Sequence, residues 1–201
     1  MPKHTWFQIL ICAIPLMTVA PSFGQAIFFP NASLGQDRSY SERYAKYLEA
    51  LHEPSLSELS KSQKTQTYRF LWLRSFHHPV SVRLDIKADG SSTLTTKVSS
   101  GQGGYEPGKL IQDSIRTIKK EQTDWFLGRI EEMKFWSLPT EGSQEENVIG
   151  VDGAEWILEG VEDSKYHLVD RWSPEKGAVR ALGIIMLIDL ARLKLLYQDV
   201  Y

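Results

Sequence analysis

The sequence predicts an α+β domain: an antiparallel or mixed sheet of about six strands, built from hairpins, with helices packed mainly on one face. Three observations carry that reading. Val80, Val82, Leu84 and Ile86 alternate with polar residues, as do Leu94, Thr96 and Val98 beyond Asp89-Gly90, the pattern of a half-buried antiparallel hairpin. A second alternating pair follows at 154–161 and 166–171. Stretches of helical spacing stand before, between and after these hairpins, so the order is helix, four strands, helix, two strands, helix.

Residues 27–38 read as an irregular entry. Ser39-x-x-Glu42 is a capping box, and Tyr40, Tyr44, Tyr47, Leu48 and Leu51 recur at helical spacing, which predicts a helix over 40–52. Glu53-Pro54 ends it, because the residue before a proline is pushed out of the helical region. Ser55-x-x-Glu58 caps one further short turn, and the polar run 60–67 reads as a linker. Residues 27–66 are therefore expected to form a helical segment ahead of a globular domain at 67–201.

Residues 68–76 make an apolar, aromatic strand that His77-His78-Pro79 breaks. After the first hairpin, 99–108 is a glycine-rich loop, and 110–118 is a fourth strand. Trp125, Phe126, Ile130 and Met133 mark a helix over 120–134, with Glu121 and Asp124 near its positive end. Residues 140–150 are acidic and polar, a solvent-facing loop. Ser173-Pro174-Glu175 opens the last helix, with the hydroxyl as cap and proline in the first turn. Val179, Leu182, Met186, Leu190, Leu193 and Tyr197 share one face of it, while Asp189, Arg192 and Lys194 interrupt the apolar run, so it reads as a core helix and not a membrane span.

The first 26 residues have a different character. A start carrying Lys3 precedes an apolar run from Trp6 to Ala20, and Pro21-Ser-Phe-Gly-Gln-Ala26 is small and turn-prone. That is the pattern of a secretory signal peptide, with cleavage after Gly24 or after Ala26. The apolar run of about 15 residues is short for a membrane span of roughly 20, and Pro15 interrupts it. Cys12 is the single cysteine, and Ile11 before it is not the small residue a lipoprotein signal requires. Signal removal leaves a chain with no thiol for a disulfide, a nucleophile or a zinc–thiolate site. It also makes the net charge one unit more negative than the −2 of the whole chain. That balance excludes the basic field that nucleic-acid binding needs. Asn31-Ala-Ser33 is a glycosylation acceptor in a eukaryotic setting.

Few residues point to chemistry. His77-His78 can bind a transition metal or shuttle protons, and His167 is a third candidate if it converges with His77 and a carboxylate such as Asp152. Adjacent strand residues point to opposite faces, which works against His77 and His78 sharing one ion. Asp85 and Asp89-Gly90 do not make a calcium loop, since Lys87 and Thr96 stand where oxygen ligands are needed. Gly101-Gln-Gly-Gly104 is followed by Tyr105-Glu-Pro-Gly and a strand, not by a helix start, so it reads as a flexible partner-contacting loop, not a phosphate cradle. Trp156, Arg171 and Trp172 are candidates to line a groove for sugar or peptide, with Tyr105 as a further ligand-binding residue. Adjacent carboxylates such as Glu131-Glu132 do not give the separation that glycoside hydrolysis needs, and a Gly-x-Ser-x-Gly signature is absent.

Asp89-Gly90, Gly-Gly-Tyr-Glu-Pro-Gly at 103–108, Phe-Trp-Ser-Leu-Pro at 135–139, Val-Asp-Gly-Ala-Glu-Trp at 151–156 and Asp-Arg-Trp-Ser-Pro at 170–174 resemble motifs of uncharacterised secreted bacterial proteins over 65–201. The resemblance implies export across a bacterial inner membrane and brings no activity, cofactor or catalytic residue. The sequence leads to an exported soluble domain, secreted or periplasmic, that binds a protein, peptide or glycan and uses no cofactor. The alternatives are a hydrolase or metal-dependent enzyme using His77 or His78 with a carboxylate, and a periplasmic inhibitor or assembly factor presenting the glycine-rich loop.

Overall fold

Six strands pair in the order β4-β3-β2-β1-β5-β6, every neighbouring pair antiparallel. They are β1 (Gln66–Arg74), β2 (Val80–Ile86), β3 (Ser92–Ser99), β4 (Leu110–Ile118), β5 (Ala154–Glu162) and β6 (Lys165–Trp172). The helices are α1 (Arg38–Ala50), α2 (Leu56–Ser62), α3 (Lys120–Glu132) and α4 (Ala178–Ile184), the last running into a π turn at Ile185–Leu190. The computed structural model describes residues 27–30, 34, 38–62, 66–142, 152–196 and 199–201. The first 26 residues with Cys12, the Asn31-Ala-Ser33 acceptor, most of the acidic 140–150 loop and Tyr197 lie outside the described residues.

The expected α+β class and six-stranded sheet stand. β1 and β5 are interior strands buried on both faces, which is why Phe70, Leu71, Trp72 and Leu73 run without a polar break. Alternation sends Tyr68, Phe70, Trp72, Trp156 and Leu158 to one face, where Phe126, Ile130, Phe135, Leu182 and Met186 from α3, α4 and their flanks complete the larger core. Its rings meet edge-on or tilted: Tyr68 and Phe126 lie 5.4 Å apart, Phe70 and Trp156 5.2 Å. Gly183 lets α4 approach closely, since a Cβ there would stand 2.6 Å from the Trp156 ring.

Leu71, Leu73, Ile157 and Leu168 point to the other face, under Tyr44, Tyr47, Leu48 and Leu51 of α1 and its end. The helical cover thus extends to both faces, with the larger core on the α3/α4 side. The stretch 38–62 is packed onto the sheet it precedes.

Polar groups fix the junction between α1 and α2. His52 takes a left-handed turn (φ 52°), and Ser55 caps α2 through the Glu58 N–H at 3.1 Å, as the spacing suggested. Glu53 is carried inward, where Arg83 reaches its Oε2 at 3.1 Å and Lys97 its Oε1 at 3.4 Å. Arg69, fully buried on β1, donates through Nε to Glu159 Oε2 at 2.7 Å, donates through Nη1 to the Pro54 carbonyl at 2.6 Å and stands 3.4 Å from Glu53. The Tyr166 hydroxyl donates to the other Glu159 oxygen at 2.9 Å.

Two local expectations are corrected. α1 starts at Arg38, so Ser39 lies in its first turn and not at the cap. Ser173 does not cap α4: its hydroxyl accepts the Ala154 N–H at 2.8 Å, tying the end of β6 to the start of β5, and the helix begins after Gly177 at φ 93°. Beyond Leu190 the backbone leaves the helix, so Leu193 packs from an irregular segment. No helix among the described residues is long and apolar enough to cross a membrane.

Removing one member of the buried network exposes what it offsets. Arg69→Met leaves the Glu159 carboxylate buried without its cation and is expected to lower unfolding free energy by about 3–5 kcal/mol in urea denaturation. Arg69→Met with Glu159→Leu is expected to recover much of that loss, since a well-packed apolar pair replaces the ionic one.

Candidate functional site

β1 ends beside the start of β5, Arg74 opposite Ala154, so the chain leaves one strand and enters the other at the same end of the sheet. Ser75 closes that end: its N–H and hydroxyl both donate to the Gly153 carbonyl, at 2.8 and 3.0 Å. Phe76 follows where the strand has stopped, so its ring projects into solvent and is 49% exposed. Beside it opens a cleft of about 740 Å³, bordered by Phe76, Asp152, Ser173, Glu175, Arg180 and Tyr201. That volume lies within the range of small-ligand sites.

The glycine-rich loop stands beside Phe76. Tyr105 is 68% exposed, and its ring lies 5.9 Å from that of Phe76, tilted by 36°. The loop is pinned, in contrast to the flexible loop expected. Gln102 N–H donates to Glu106 O (2.9 Å), Gly103 N–H to His77 O (3.1 Å) and Gly104 N–H to Ser75 O (3.2 Å). The Tyr47 hydroxyl of α1 lies 2.8 Å from Gly103 O and 3.1 Å from Gln102 O. A Cβ at Gly103 would stand 2.5 Å from the Leu73 backbone, so glycine is required for this close approach.

The residues singled out from the sequence divide. Tyr105 stands beside Phe76. Trp156 is fully buried beneath α4, and its indole N–H donates to the Tyr201 carbonyl at 2.9 Å. Arg171, directly opposite Trp156 in the sheet, is buried and donates to Pro139 O and Thr140 O at 3.1 and 3.0 Å. Trp172 points to the other face, against Gly153. The expected groove of Trp156, Arg171 and Trp172 is therefore not formed: alternation separates Trp172 from the other two, and the core takes Trp156.

The histidines diverge as well. His77 Nδ1 lies 2.7 Å from the Tyr201 hydroxyl, and His78 Nδ1 lies 2.9 Å from Gly101 O, a carbonyl that only accepts, so this nitrogen carries a proton. His167 lies against Phe135 and Trp136, at 5.0 and 6.0 Å between centroids. Among the described residues no group of three His, Cys, Asp or Glu could hold a metal ion, and neither His77 nor His78 has a carboxylate as hydrogen-bond partner.

A carboxyl pair lies under α1, away from the cleft. Arg43 Nη2 reaches Glu155 Oε1 at 2.5 Å, and the Tyr44 hydroxyl donates to Asp170 Oδ2 at 3.0 Å. Asp170 Oδ1 is buried with no partner among the described residues. Burial, and then the Glu155 carboxylate nearby, push the Asp170 carboxyl up to about 8.

Phe76, Arg180 and Tyr201 at the cleft had no sequence signal beyond the His77-His78-Pro79 break after Phe76, because strand ends and packing bring them together. The chain matches no protein-family model and no curated protein.

The raised Asp170 value sets a pH dependence. The folded state holds this proton when the unfolded chain has lost it, so the group's contribution to stability falls as pH rises from about 4 towards 8. Asp170→Asn removes that loss. The stability of the variant relative to the parent is expected to increase between pH 5 and pH 8 in urea denaturation; a difference that does not change with pH contradicts the assignment.

Proposed function

We propose that the protein is an exported, non-catalytic binding domain, secreted or periplasmic, whose ligand site is the cleft beside Phe76 and Tyr105. The observation that carries this reading is the exposed aromatic pair beside an open cleft, Phe76 just past the end of β1 and Tyr105 on a loop pinned by hydrogen bonds. Large rings left in solvent are unfavourable unless something covers them, and a pinned loop presents them with little ordering left to lose on binding. Aromatic faces next to the Asp152 and Glu175 carboxylates suit a peptide or a glycan, since both offer apolar surface beside hydrogen-bond donors. The histidine partners, a tyrosine hydroxyl and a peptide carbonyl, support binding over the hydrolase or metal-dependent alternative.

Export rests on the leader pattern of residues 1–26. The Ile27 carbonyl accepts the Ser55 and Ser57 hydroxyls at 2.6 and 2.8 Å, and Phe28 and Phe29 are buried, so the fold engages the chain directly after the leader. In a bacterial host, the mature protein is expected to begin at Gln25 or Ile27 by intact mass; an exported product retaining Met1 contradicts removal of the leader.

The binding reading is tested on glycan and peptide arrays. Phe76→Ala and Tyr105→Ala are each expected to weaken the captured ligand by about tenfold or more. Both side chains are exposed, so thermal stability is expected to stay unchanged. A ligand whose affinity ignores both substitutions binds elsewhere and overturns the site.

A further inference from the structure

Five side chains converge on three consecutive residues, Asp199 to Tyr201. The Trp72 and Trp156 indole N–H groups both donate to the Tyr201 carbonyl, at 3.2 and 2.9 Å. Arg180 Nη2 donates to the Val200 carbonyl at 3.2 Å, and Arg74 Nη1 to the Asp199 carbonyl at 3.3 Å. His77 Nδ1 meets the Tyr201 hydroxyl at 2.7 Å. Every backbone carbonyl of the segment is thus received by a side chain.

The donors sit on rigid parts of the fold: β1 supplies Trp72 and Arg74, β5 supplies Trp156, and α4 supplies Arg180. Both indoles are fully buried, and Arg74 is 7% exposed with its guanidinium stacked 4.0 Å over the Trp72 ring. Arg74 makes no ion pair among the described residues, and its Nε is buried without a partner. The segment itself joins no strand; a backbone bond runs from the Asp199 N–H to the Leu196 carbonyl at 2.9 Å. It is held as a bound peptide is held, by donors aimed at its carbonyls and by one contact to a side-chain hydroxyl.

The geometry points to a peptide-binding site that the chain's own residues 199–201 occupy in cis. The inference rests on the cleft reading above and narrows its ligand to a peptide carrying a tyrosine. The indoles and arginines read the backbone without regard to sequence, and His77 selects the phenol. The cleft continues past Val200 and Tyr201 to Asp152 and Glu175, which leaves room for further ligand residues. A peptide in trans enters by displacing the segment, so the segment sets the apparent affinity by competition.

The test uses a synthetic peptide with the sequence of residues 194–201, followed by calorimetry and tryptophan fluorescence. A variant lacking 199–201 is expected to bind it saturably, at least about tenfold more tightly than the full chain does, and to discriminate by a similar factor against the peptide with its last tyrosine replaced by alanine. A folded deletion variant that does not bind the peptide overturns the inference. If the deletion prevents folding, full-length Tyr201→Ala, which loosens the segment, is expected to bind the peptide more tightly than the parent chain; equal or weaker binding overturns it. Loss of peptide binding alone, with a glycan still held through Phe76 and Tyr105, removes this inference and leaves the binding domain. Failure of both ligand classes removes both.

Discussion

The guanidinium of Arg69 is the interaction on which the arrangement depends. It is sealed inside the α1/α2 face, where desolvation opposes its charge and the Glu159 and Glu53 carboxylates outweigh that opposition, raising its pKa. Through Glu159 it engages β5, with Tyr166 of β6 on the same carboxylate. Through Glu53 and the Pro54 carbonyl it grips the α1–α2 junction, and Arg83 of β2 and Lys97 of β3 hold Glu53 from the other side. Five of the six strands are thereby tied to one short turn. Such a network is weak evidence of added stability, but its fixed hydrogen-bond geometry specifies where α1 lies on the sheet.

That placement reaches the cleft in a few contacts. α1 carries Tyr47 to the glycine-rich loop, whose Gln102 and Gly103 carbonyls lie beside its hydroxyl. The loop in turn sets Tyr105 against Phe76, which the end of β1 leaves in solvent. The same end of β1 supplies Trp72 and Arg74 to the segment 199–201. One strand therefore links the buried ionic hub at Arg69 to Trp72 and Arg74 and, just past its end, to Phe76. A domain without cysteine in its described residues keeps its site in register by buried polar contacts and aromatic packing.

The strands were legible wherever apolar and polar residues alternate. Alternation over 80–86 and 92–99, with Asp89-Gly90 between, allows one pairing that buries the apolar set. The strand β1 was legible as strand but not as architecture: Arg69 among its apolar residues shows nothing of the two carboxylates, far apart in sequence, that receive it. For the same reason 27–66 reads as a segment ahead of the domain, although Tyr44 and Leu48 complete a core. At the site, Tyr105 was visible because a tyrosine among glycines has nothing local to pack on. Trp156 reads equally well as core or groove, and the close approach of α4 at Gly183 decides for core. Tyr201 joins His77 across most of the chain, a contact without local pattern.

Displacing residues 199–201 separates a ligand site around Tyr201 from a mere packing contact. The most direct measurement is an amide and indole NMR titration of the protein with the 194–201 peptide in excess. The Val200 and Tyr201 amide signals of the protein are expected to move to unstructured positions, while the Trp72 and Trp156 indole signals stay hydrogen-bonded because the added peptide has replaced the segment. Val200 and Tyr201 signals that hold their positions at saturating peptide contradict the ligand site.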